Sequence, residues 1–274
     1  VVAPEPAPAP APEPAAPEFN FIPTVSLAEG GEAITKGNAW EIFRANADGS
    51  RGEGIATEYE AYKGNLEPGN YVVEARVSEA RIEQPVVIEP GKVTEQHFVL
   101  NAGTLKISPK ATAGSEPDAG AAVHFIYPGG DWVTYGPTTV VVPAGEQTVK
   151  VKLGEAEVSE TFALKAGEVI EKDIVAGVGA VKVNAFYAPG MKVEADGIAV
   201  NIFEAKKDIN GKRKDVAYTF GPDKQFSLPP GDYVVVFKQE GAEAEAPFTI
   251  KTGDSISVDV VMNAGVVAGK QPGY

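Results

Sequence analysis

Apolar and polar residues alternate with a period of two along several runs of this chain. The run that begins at Gly69 has apolar side chains at every second position, namely Tyr71, Val73, Ala75 and Val77. The run that begins at Gly231 repeats the arrangement with Tyr233, Val235 and Phe237. Since successive side chains of a β-strand point to opposite faces, each run predicts a strand with one buried face. No stretch shows sustained helical periodicity, and the pattern therefore predicts an all-β fold.

The same pattern occurs three times, at residues 66–103, 142–179 and 228–265. In each copy three glycines are separated by 22 and then by 12 residues: Gly69, Gly91 and Gly103; Gly145, Gly167 and Gly179; Gly231, Gly253 and Gly265. Constant spacing over intervals of this length indicates an internal repeat. We name the copies repeat 1, repeat 2 and repeat 3.

The spacing between repeats sets the size of the predicted domains. Gly69 and Gly145 are 76 residues apart, and Gly145 and Gly231 are 86 apart, which is enough for small domains of modest stability. Short strands with turns roughly every 8–12 residues favour a β-sandwich. We therefore expect three tandem small Ig-like or transthyretin-like sandwiches, at residues 21–102, 103–178 and 179–267. A Pro-rich disordered spacer at residues 1–20 precedes them, and a tail at residues 268–274 follows.

Another strand is predicted upstream in each repeat, at residues 39–44, 122–127 and 199–204. The alternation places Trp40, Val123 and Val200 on the buried face of these strands. Glu41, His124 and Asn201 then share the outward face. Repeat 1 is also expected to have a strand at residues 24–27.

The segment that follows these strands differs most among the repeats, at residues 45–65, 128–140 and 205–227. Loops accept insertions at low cost, so we expect any binding surface to have diversified there. In repeat 2, Tyr127, Trp132 and Tyr135 cluster in and beside this segment. Exposed rings of this kind stack on sugars or contact a protein partner. The competing interpretation, which the sequence favours, is that Trp132 and Tyr135 cap the end of the sandwich core.

The turn that opens each repeated segment carries a short motif, L-x-P-G-x-Y. Leu66, Pro68, Gly69 and Tyr71 form it in repeat 1, and Leu228, Pro230, Gly231 and Tyr233 form it in repeat 3. Repeat 2 departs from the motif with Ala144 and Gln147. Together with the hairpin and closing strand that follow, the motif resembles the carboxypeptidase-regulatory-like family. The resemblance implies transthyretin-like sandwiches in tandem on bacterial surface or periplasmic proteins, and it brings no catalytic residues. The closing strand also resembles modules of some α-proteobacterial proteins that bear a von Willebrand A domain.

The charge and the residue composition exclude several classes of binding partner and of site. The formal net charge of −14 and the pI of about 4.7 oppose binding to nucleic acid or to an anionic membrane surface. The chain has no cysteine, which excludes disulfides and thiolate metal sites. No apolar run reaches the roughly 20 residues of a membrane-spanning helix. Alternating prolines predict an extended polyproline II spacer, and because the chain opens on Val1 within it we expect a processed form or a fragment.

No constellation of residues predicts catalysis or a cofactor. His97 and His124 fall on solvent-facing strand positions, without the partners that a zinc site or a Ser/His/Asp triad needs. The acidic turns at residues 46–49 and 208–211 do not have the ligand spacing of an EF-hand. Glycine-rich nucleotide motifs do not occur. We therefore expect a protein with no metal and no cofactor that is not an enzyme.

The tandem repeats, the spacer and the acidic composition favour a non-enzymatic structural or protein-interaction array. It would serve as a stalk or scaffold of a bacterial extracytoplasmic protein, in the periplasm or at the cell surface. The expected partner is another protein or neighbouring domains of a longer chain. The alternative is a carbohydrate-binding module that holds polysaccharide through Tyr127, Trp132 and Tyr135. A third hypothesis is an accessory part of a larger enzyme.

Overall fold

The computed structural model describes residues 17–194, 196–239 and 241–262. Across these residues every regular element is a β-strand, which confirms the all-β fold predicted from the alternating pattern. Within the same ranges, no helix has the length and apolar character that crossing a membrane requires.

The strands follow one another in the order of the repeats. Repeat 1 contains β1 (Phe21–Ser26), β2 (Asn38–Ala45), β3 (Arg51–Tyr59), β4 (Gly69–Val77), β5 (Ala80–Ile88) and β6 (Thr94–Val99). Repeat 2 contains β7 (Ala102–Lys110), β8 (Ala122–Tyr127), β9 (Gly130–Tyr135), β10 (Thr138–Pro143), β11 (Gly145–Leu153), β12 (Ala156–Leu164) and β13 (Val169–Val175). Repeat 3 contains β14 (Gly179–Ala188), β15 (Met191–Lys192), β16 (Ala199–Lys207), β17 (Arg213–Phe220), β18 (Asp223–Leu228), β19 (Gly231–Gln239), β20 (Ala242–Ile250) and β21 (Ser255–Val261).

Each repeat has a four-stranded antiparallel sheet and a second sheet. The four-stranded antiparallel sheets have the orders β3-β2-β4-β5, β12-β11-β8-β9 and β17-β16-β19-β20. The second sheets have two strands in repeat 1, three in repeat 2 and four in repeat 3. In each second sheet the first and last strands of the repeat pair in parallel, as β1 with β6, β7 with β13, and β14 with β21. Two sheets with facing apolar sides form the Ig-like β-sandwich that the sequence predicted.

The hydrophobic core of repeat 1 draws on both of its sheets. Trp40 of the larger sheet meets Phe98 of the smaller sheet edge to face, with 5.4 Å between ring centroids. The residues predicted to point inward on β4 are buried: Tyr71, Val73, Ala75 and Val77. Their counterparts on β19 are buried in the core of repeat 3: Tyr233, Val235 and Phe237. The period of two therefore identified the core-facing side of these strands correctly.

Strand bounds were predicted less well at the start of repeat 1. The strand expected at residues 24–27 runs instead over Phe21–Ser26 and includes Pro23. Proline has no N–H to donate, so its presence argues against a strand interior. Among the described strands, however, only β6 pairs with β1. On its other side β1 bonds to Gly64 through Phe21 and to Ile34 through Val25, which leaves Pro23 between these contacts, where proline is tolerated. Phe21, fully buried, belongs to the core of repeat 1.

The tyrosine of the turn motif has a structural role. The Tyr71 hydroxyl donates a 2.8 Å hydrogen bond to the Glu67 carbonyl, and the Tyr233 hydroxyl donates one of 2.9 Å to the Pro229 carbonyl. In both cases the ring is buried and the hydroxyl reaches back four residues, which fixes the turn before the strand. Burial raises the pKa of both phenols above its ordinary value, which keeps the hydroxyls protonated as donors.

The chain divides into two compact units. Unit 1 comprises Val1–Gly103, Val141–Ala144 and Lys165–Glu168, and unit 2 comprises Thr104–Val140, Gly145–Leu164 and Val169–Tyr274. Unit 1 thus combines repeat 1 with two short segments of repeat 2, whereas unit 2 holds the rest of repeat 2 and repeat 3. The boundaries of the three predicted domains stay a prediction.

Candidate interaction surfaces

Two short segments of repeat 2, Val141–Ala144 and Lys165–Glu168, bind the end of repeat 1 within unit 1. The Glu79 N–H, in the hairpin between β4 and β5, donates to the Val141 carbonyl at 3.0 Å. The Ala144 N–H donates to the Asn101 carbonyl at 2.8 Å. The Gly167 N–H donates to Ala102, again at 2.8 Å. These three backbone hydrogen bonds define the first junction between consecutive repeats.

The junction between repeats 2 and 3, which lies within unit 2, has the same construction. The Glu155 N–H donates to the Ser227 carbonyl at 3.0 Å, and the Gly253 N–H donates to the Val178 carbonyl at 3.0 Å. Glu155 lies 76 residues after Glu79, and Gly253 lies 86 residues after Gly167, so these bonds occupy equivalent positions of the repeat. The two junctions therefore share equivalent backbone hydrogen bonds.

One donor of the junction changes its chemical identity between the two copies. Pro230 stands where repeat 2 has Ala144, and proline has no backbone N–H. At the second junction the Thr252 hydroxyl donates instead, to the Gly177 carbonyl at 2.9 Å. Gly177 is the equivalent of Asn101, so the same carbonyl of the repeat is satisfied by a different donor. The equivalent carbonyl is therefore hydrogen-bonded at both junctions, although proline occupies the position of the first donor in repeat 3.

Gly154 allows the second junction to close. It adopts a φ of +58°, and a Cβ there would lie 2.3 Å from the Ser227 carbonyl oxygen. A side chain at this position would therefore force β18 away from the hairpin between β11 and β12.

The aromatic residues predicted to bind a ligand in repeat 2 do not share one surface. Trp132 lies opposite Phe125 on the neighbouring strand, and the two rings stack with 5.7 Å between centroids. Phe125 is buried in the core, and Trp132 is partly buried beside it. Tyr127, on the same face of β8, lies over Gly130, where a Cβ would come within 2.9 Å of the ring. Trp132 and Tyr127 are thus positioned on the core side of the β8–β9 hairpin.

Tyr135 lies on the opposite, outward face of that hairpin. It pairs with Ala122 and is 69% exposed. The structure therefore separates Tyr135 from the other two rings. Ligand contact at these three residues stays a prediction.

Tyr135 belongs to an arrangement that sequence analysis missed. Each four-stranded antiparallel sheet carries an exposed aromatic residue on its edge strand, directly opposite an alanine, which is in turn opposite a basic residue. The three rows are Tyr59–Ala39–Arg76, Tyr135–Ala122–Lys152 and Phe220–Ala199–Lys238. Tyr59 is 66% and Phe220 is 51% exposed. We call these the row of repeat 1, of repeat 2 and of repeat 3.

The rows differ in charge at the fourth strand. Arg81 lies opposite Arg76 in repeat 1, whereas Glu157 lies opposite Lys152 in repeat 2. In repeat 3, Glu243 lies opposite Lys238 and forms a 3.0 Å ion pair with it. The rows of repeats 2 and 3 therefore balance one basic residue with one acidic residue, while the row of repeat 1 carries two arginines.

Arginines elsewhere on the same outward faces are paired. Arg51 forms ion pairs with Glu74 and Glu83, and its guanidinium lies 4.4 Å from the centre of the Phe43 ring. Arg213 makes a two-point contact with Glu245, at 2.8 and 3.3 Å. Hydrogen bonding to Arg213 holds the pKa of the Glu245 carboxyl below its ordinary value, with the charge of Lys207 adding a smaller effect.

The histidines have simple surroundings. His97 is exposed, as predicted, and its two ring nitrogens lie 2.9 Å from the Thr24 and Ser26 hydroxyls. His124 is partly buried, with Nε2 2.9 Å from the Asp131 carboxylate. Among the described residues, no three or more His, Cys, Asp or Glu side chains come together to form a metal site.

The chain was compared with protein families, with curated proteins and with solved structures. No family model matches the chain, and no curated protein matches it. The Bacillus anthracis TIE protein is similar in structure at 17% identity and a TM-score of 0.26, with 89% of this chain and 51% of that chain covered. This chain thus spans about half of the length of that protein. A streptococcal ancillary pilin is similar at 9% identity and a TM-score of 0.30, covering 89% and 98%. BcpA, the major pilin subunit of Bacillus cereus, gives 14% identity, a TM-score of 0.21, and 89% and 98% coverage.

Proposed function

We propose that this chain is a non-enzymatic structural or protein-interaction array, a stalk or scaffold of an extracytoplasmic protein. The observation that carries the proposal is the junction built twice, with Glu79 and Glu155 donating to equivalent carbonyls of the next repeat. A linker that only connects independent domains has no need of such bonds. An array whose successive repeats act together does need them.

The outward faces of the four-stranded sheets are the surfaces that such an array would present to a protein partner. Each displays an exposed aromatic residue, namely Tyr59, Tyr135 or Phe220. Exposed aromatic rings are frequent anchors of protein interfaces. The extracytoplasmic location rests on the resemblance of the turn motif and on the acidic composition.

The carbohydrate-binding alternative is less well supported by the geometry. Trp132 stacks on Phe125 at the core side, so its ring has one face already occupied. We expect Trp132→Ala to lower the stability of repeat 2, whereas Tyr135→Ala should leave stability unchanged. A glycan panel probed with both variants tests the alternative, because polysaccharide binding lost in Tyr135→Ala alone would support it.

Distances between two spin labels placed on either side of the second junction, measured by double electron–electron resonance spectroscopy, test the proposed array. The chain has no cysteine, so Glu157→Cys on β12 and Glu243→Cys on β20 provide two unique label sites at equivalent positions. We expect a single distance distribution as narrow as that of a control pair within repeat 2, Glu157→Cys with Asp131→Cys. Adding Gly154→Val should broaden the distribution, because the side chain collides with Ser227. A broad distribution in the unmodified junction would refute the proposal.

A further inference from the structure

The row of repeat 1 contains two like charges in direct opposition. Arg76 on β4 and Arg81 on β5 are cross-strand partners, and Arg76 is partly buried. Like charges directly opposite each other destabilise a sheet. Among the described residues, neither guanidinium has a hydrogen bond or an ion pair. Glu74 and Glu83, two residues along the same sheet face, are instead paired with Arg51. An anion placed between Arg76 and Arg81 would relieve this repulsion.

The same row offers an apolar contact at a defined distance from the two charges. Tyr59 and Arg76 lie on strands separated by β2, so their backbones are about 10 Å apart at the usual spacing between strands. Ala39, between them, leaves the surface shallow. A ligand that fits has an apolar group for the Tyr59 ring and an anionic group about 10 Å away.

The spacer of this chain, residues 1–20, has that composition. It carries two Pro-Glu-Pro triplets, at residues 4–6 and 12–14, and a further acidic residue, Glu18, with no basic residue. Polyproline II segments bind to exposed aromatic rings. With a rise of about 3.1 Å per residue, a proline ring and the carboxylate of a nearby glutamate span on the order of 10 Å, which matches the row.

The spacer is also attached close enough to reach. The Asn65 side-chain amide donates a 2.7 Å hydrogen bond to the Glu18 carbonyl, which ties the end of the spacer to repeat 1. Glu18, Asn65 and the row of repeat 1 all belong to unit 1. A domain of about 80 residues has a radius of gyration of about 12 Å. An extended stretch of the length of the spacer covers on the order of 50 Å, so the surface of repeat 1 is within its range.

We propose that the spacer binds the row of repeat 1 of its own chain, with a proline ring on Tyr59 and a glutamate carboxylate between Arg76 and Arg81. The rows of repeats 2 and 3 serve as internal controls. Each offers the aromatic ring and one basic residue, but Glu157 or Glu243 replaces the second cation. Charge therefore distinguishes the row of repeat 1 from the other two rows.

Paramagnetic broadening in the full chain tests the proposal. A nitroxide attached at Ala9→Cys, between the two triplets, should broaden the amide signals of Tyr59, Arg76 and Arg81. The equivalent amides of repeats 2 and 3, around Tyr135 and Phe220, should keep their intensity. Raising the salt concentration should reduce the broadening, because the ion pairs are solvent-exposed and screened.

Two charge variants decide whether the row itself is responsible. Arg81→Glu gives repeat 1 the charge pattern of the other rows and should abolish the broadening. Arg81→Lys keeps both positive charges of the row and should retain the broadening. Both substitutions are at strand positions on the outward face, and intact amide spectra confirm that each variant folds.

The outcomes that overturn the proposal are distinct. Broadening that is absent from repeat 1, or that survives Arg81→Glu, shows that the spacer does not bind the row. Binding between molecules is detected in a mixture of two kinds of chain. One carries the nitroxide and has natural isotope abundance, and the other is ¹⁵N-labelled and carries no nitroxide. Broadening of Tyr59 in that mixture would place the spacer on a second copy and would refute binding within one chain.

Discussion

Single side chains at the residue scale fix the turns and the outward faces of these sandwiches. In the L-x-P-G-x-Y motif, for example, the tyrosine closes a turn. Tyr71 and Tyr233 each bond to a carbonyl four residues back. Repeat 2 has Gln147 there, also buried, and its amide lies 3.4 Å from the Gly145 carbonyl. The position therefore calls for a buried polar donor rather than for tyrosine itself.

Removing the Tyr71 hydroxyl should measure how much its hydrogen bond to the turn contributes to the stability of repeat 1. Tyr71→Phe retains the ring and leaves the Glu67 carbonyl without its donor, so we expect repeat 1 to lose about 1 kcal/mol of stability. Urea unfolding followed at amides of repeat 1 provides the measurement. Tyr59→Phe is the matched control, since Tyr59 is exposed and should show no loss. Equal effects of the two substitutions would contradict the assigned role of Tyr71.

The ion pair of Arg213 and Glu245 predicts a dependence on pH. The folded state lowers the pKa of Glu245, so the pair stabilises repeat 3 above the unfolded pKa of about 4.3. That contribution is lost as the pH falls through the lowered folded value. In a carboxyl ¹³C titration, Arg213→Met should raise the midpoint of Glu245. Lys207→Met should raise it less, because Lys207 acts only through its charge. An unchanged midpoint in Arg213→Met would show that Arg213 is not the cause.

Elements, in contrast, were predicted well where spacing is constant and poorly where it is not. Alternation from Gly69 and Gly231 identified β4 and β19 together with their core-facing residues. The other face is also buried at mid-strand, at Val72 and Glu74 of β4 and at Val234 and Val236 of β19. The rows were missed because each spans strands joined by loops of different length. Ala39 precedes Gly69 by 30 residues, whereas Ala122 precedes Gly145 by only 23. Cross-strand register of this kind depends on the sheet itself and is not encoded in a fixed interval along the chain.

At the scale of elements, the different hydrogen-bond donors of the two junctions lead to a testable prediction. Thr252→Ala leaves the Gly177 carbonyl without its hydroxyl donor and should destabilise repeat 3 by about 1 kcal/mol. Pro230→Ala in the same chain restores a backbone N–H, as Ala144 provides at the first junction. The loss caused by Thr252→Ala should therefore be smaller when Pro230→Ala is present.

A double-mutant cycle separates this rescue from the effect of removing a proline on the unfolded chain. The readout is urea unfolding followed at amides of repeat 3 in the four proteins of the cycle. Additive effects of Thr252→Ala and Pro230→Ala would mean that the two donors do not replace each other.

The molecule as a whole is expected to transmit the loss of one repeat to its neighbours through these junctions. Repeat 2 supplies the acceptor for the Glu79 N–H of repeat 1, through Val141. It also supplies the acceptor for the Gly253 N–H of repeat 3, through Val178. Both amides thus lie outside repeat 2 but depend on its being folded. Sequence analysis had no means of finding this coupling, because the partners are backbone groups.

Val149→Asp puts an unpaired carboxylate into the core of repeat 2, where Val149 is fully buried, and should unfold that repeat. We expect hydrogen exchange at the Glu79 and Gly253 amides to accelerate, while the central amides of β4 and β19 stay protected. The matched variant Val235→Asp unfolds repeat 3 instead. It removes the Ser227 acceptor of the Glu155 N–H, so exchange should accelerate at Glu155 and remain slow at Glu79. If Val149→Asp left Glu79 and Gly253 protected, the junction bonds would form independently of repeat 2, and the array would be a chain of uncoupled domains.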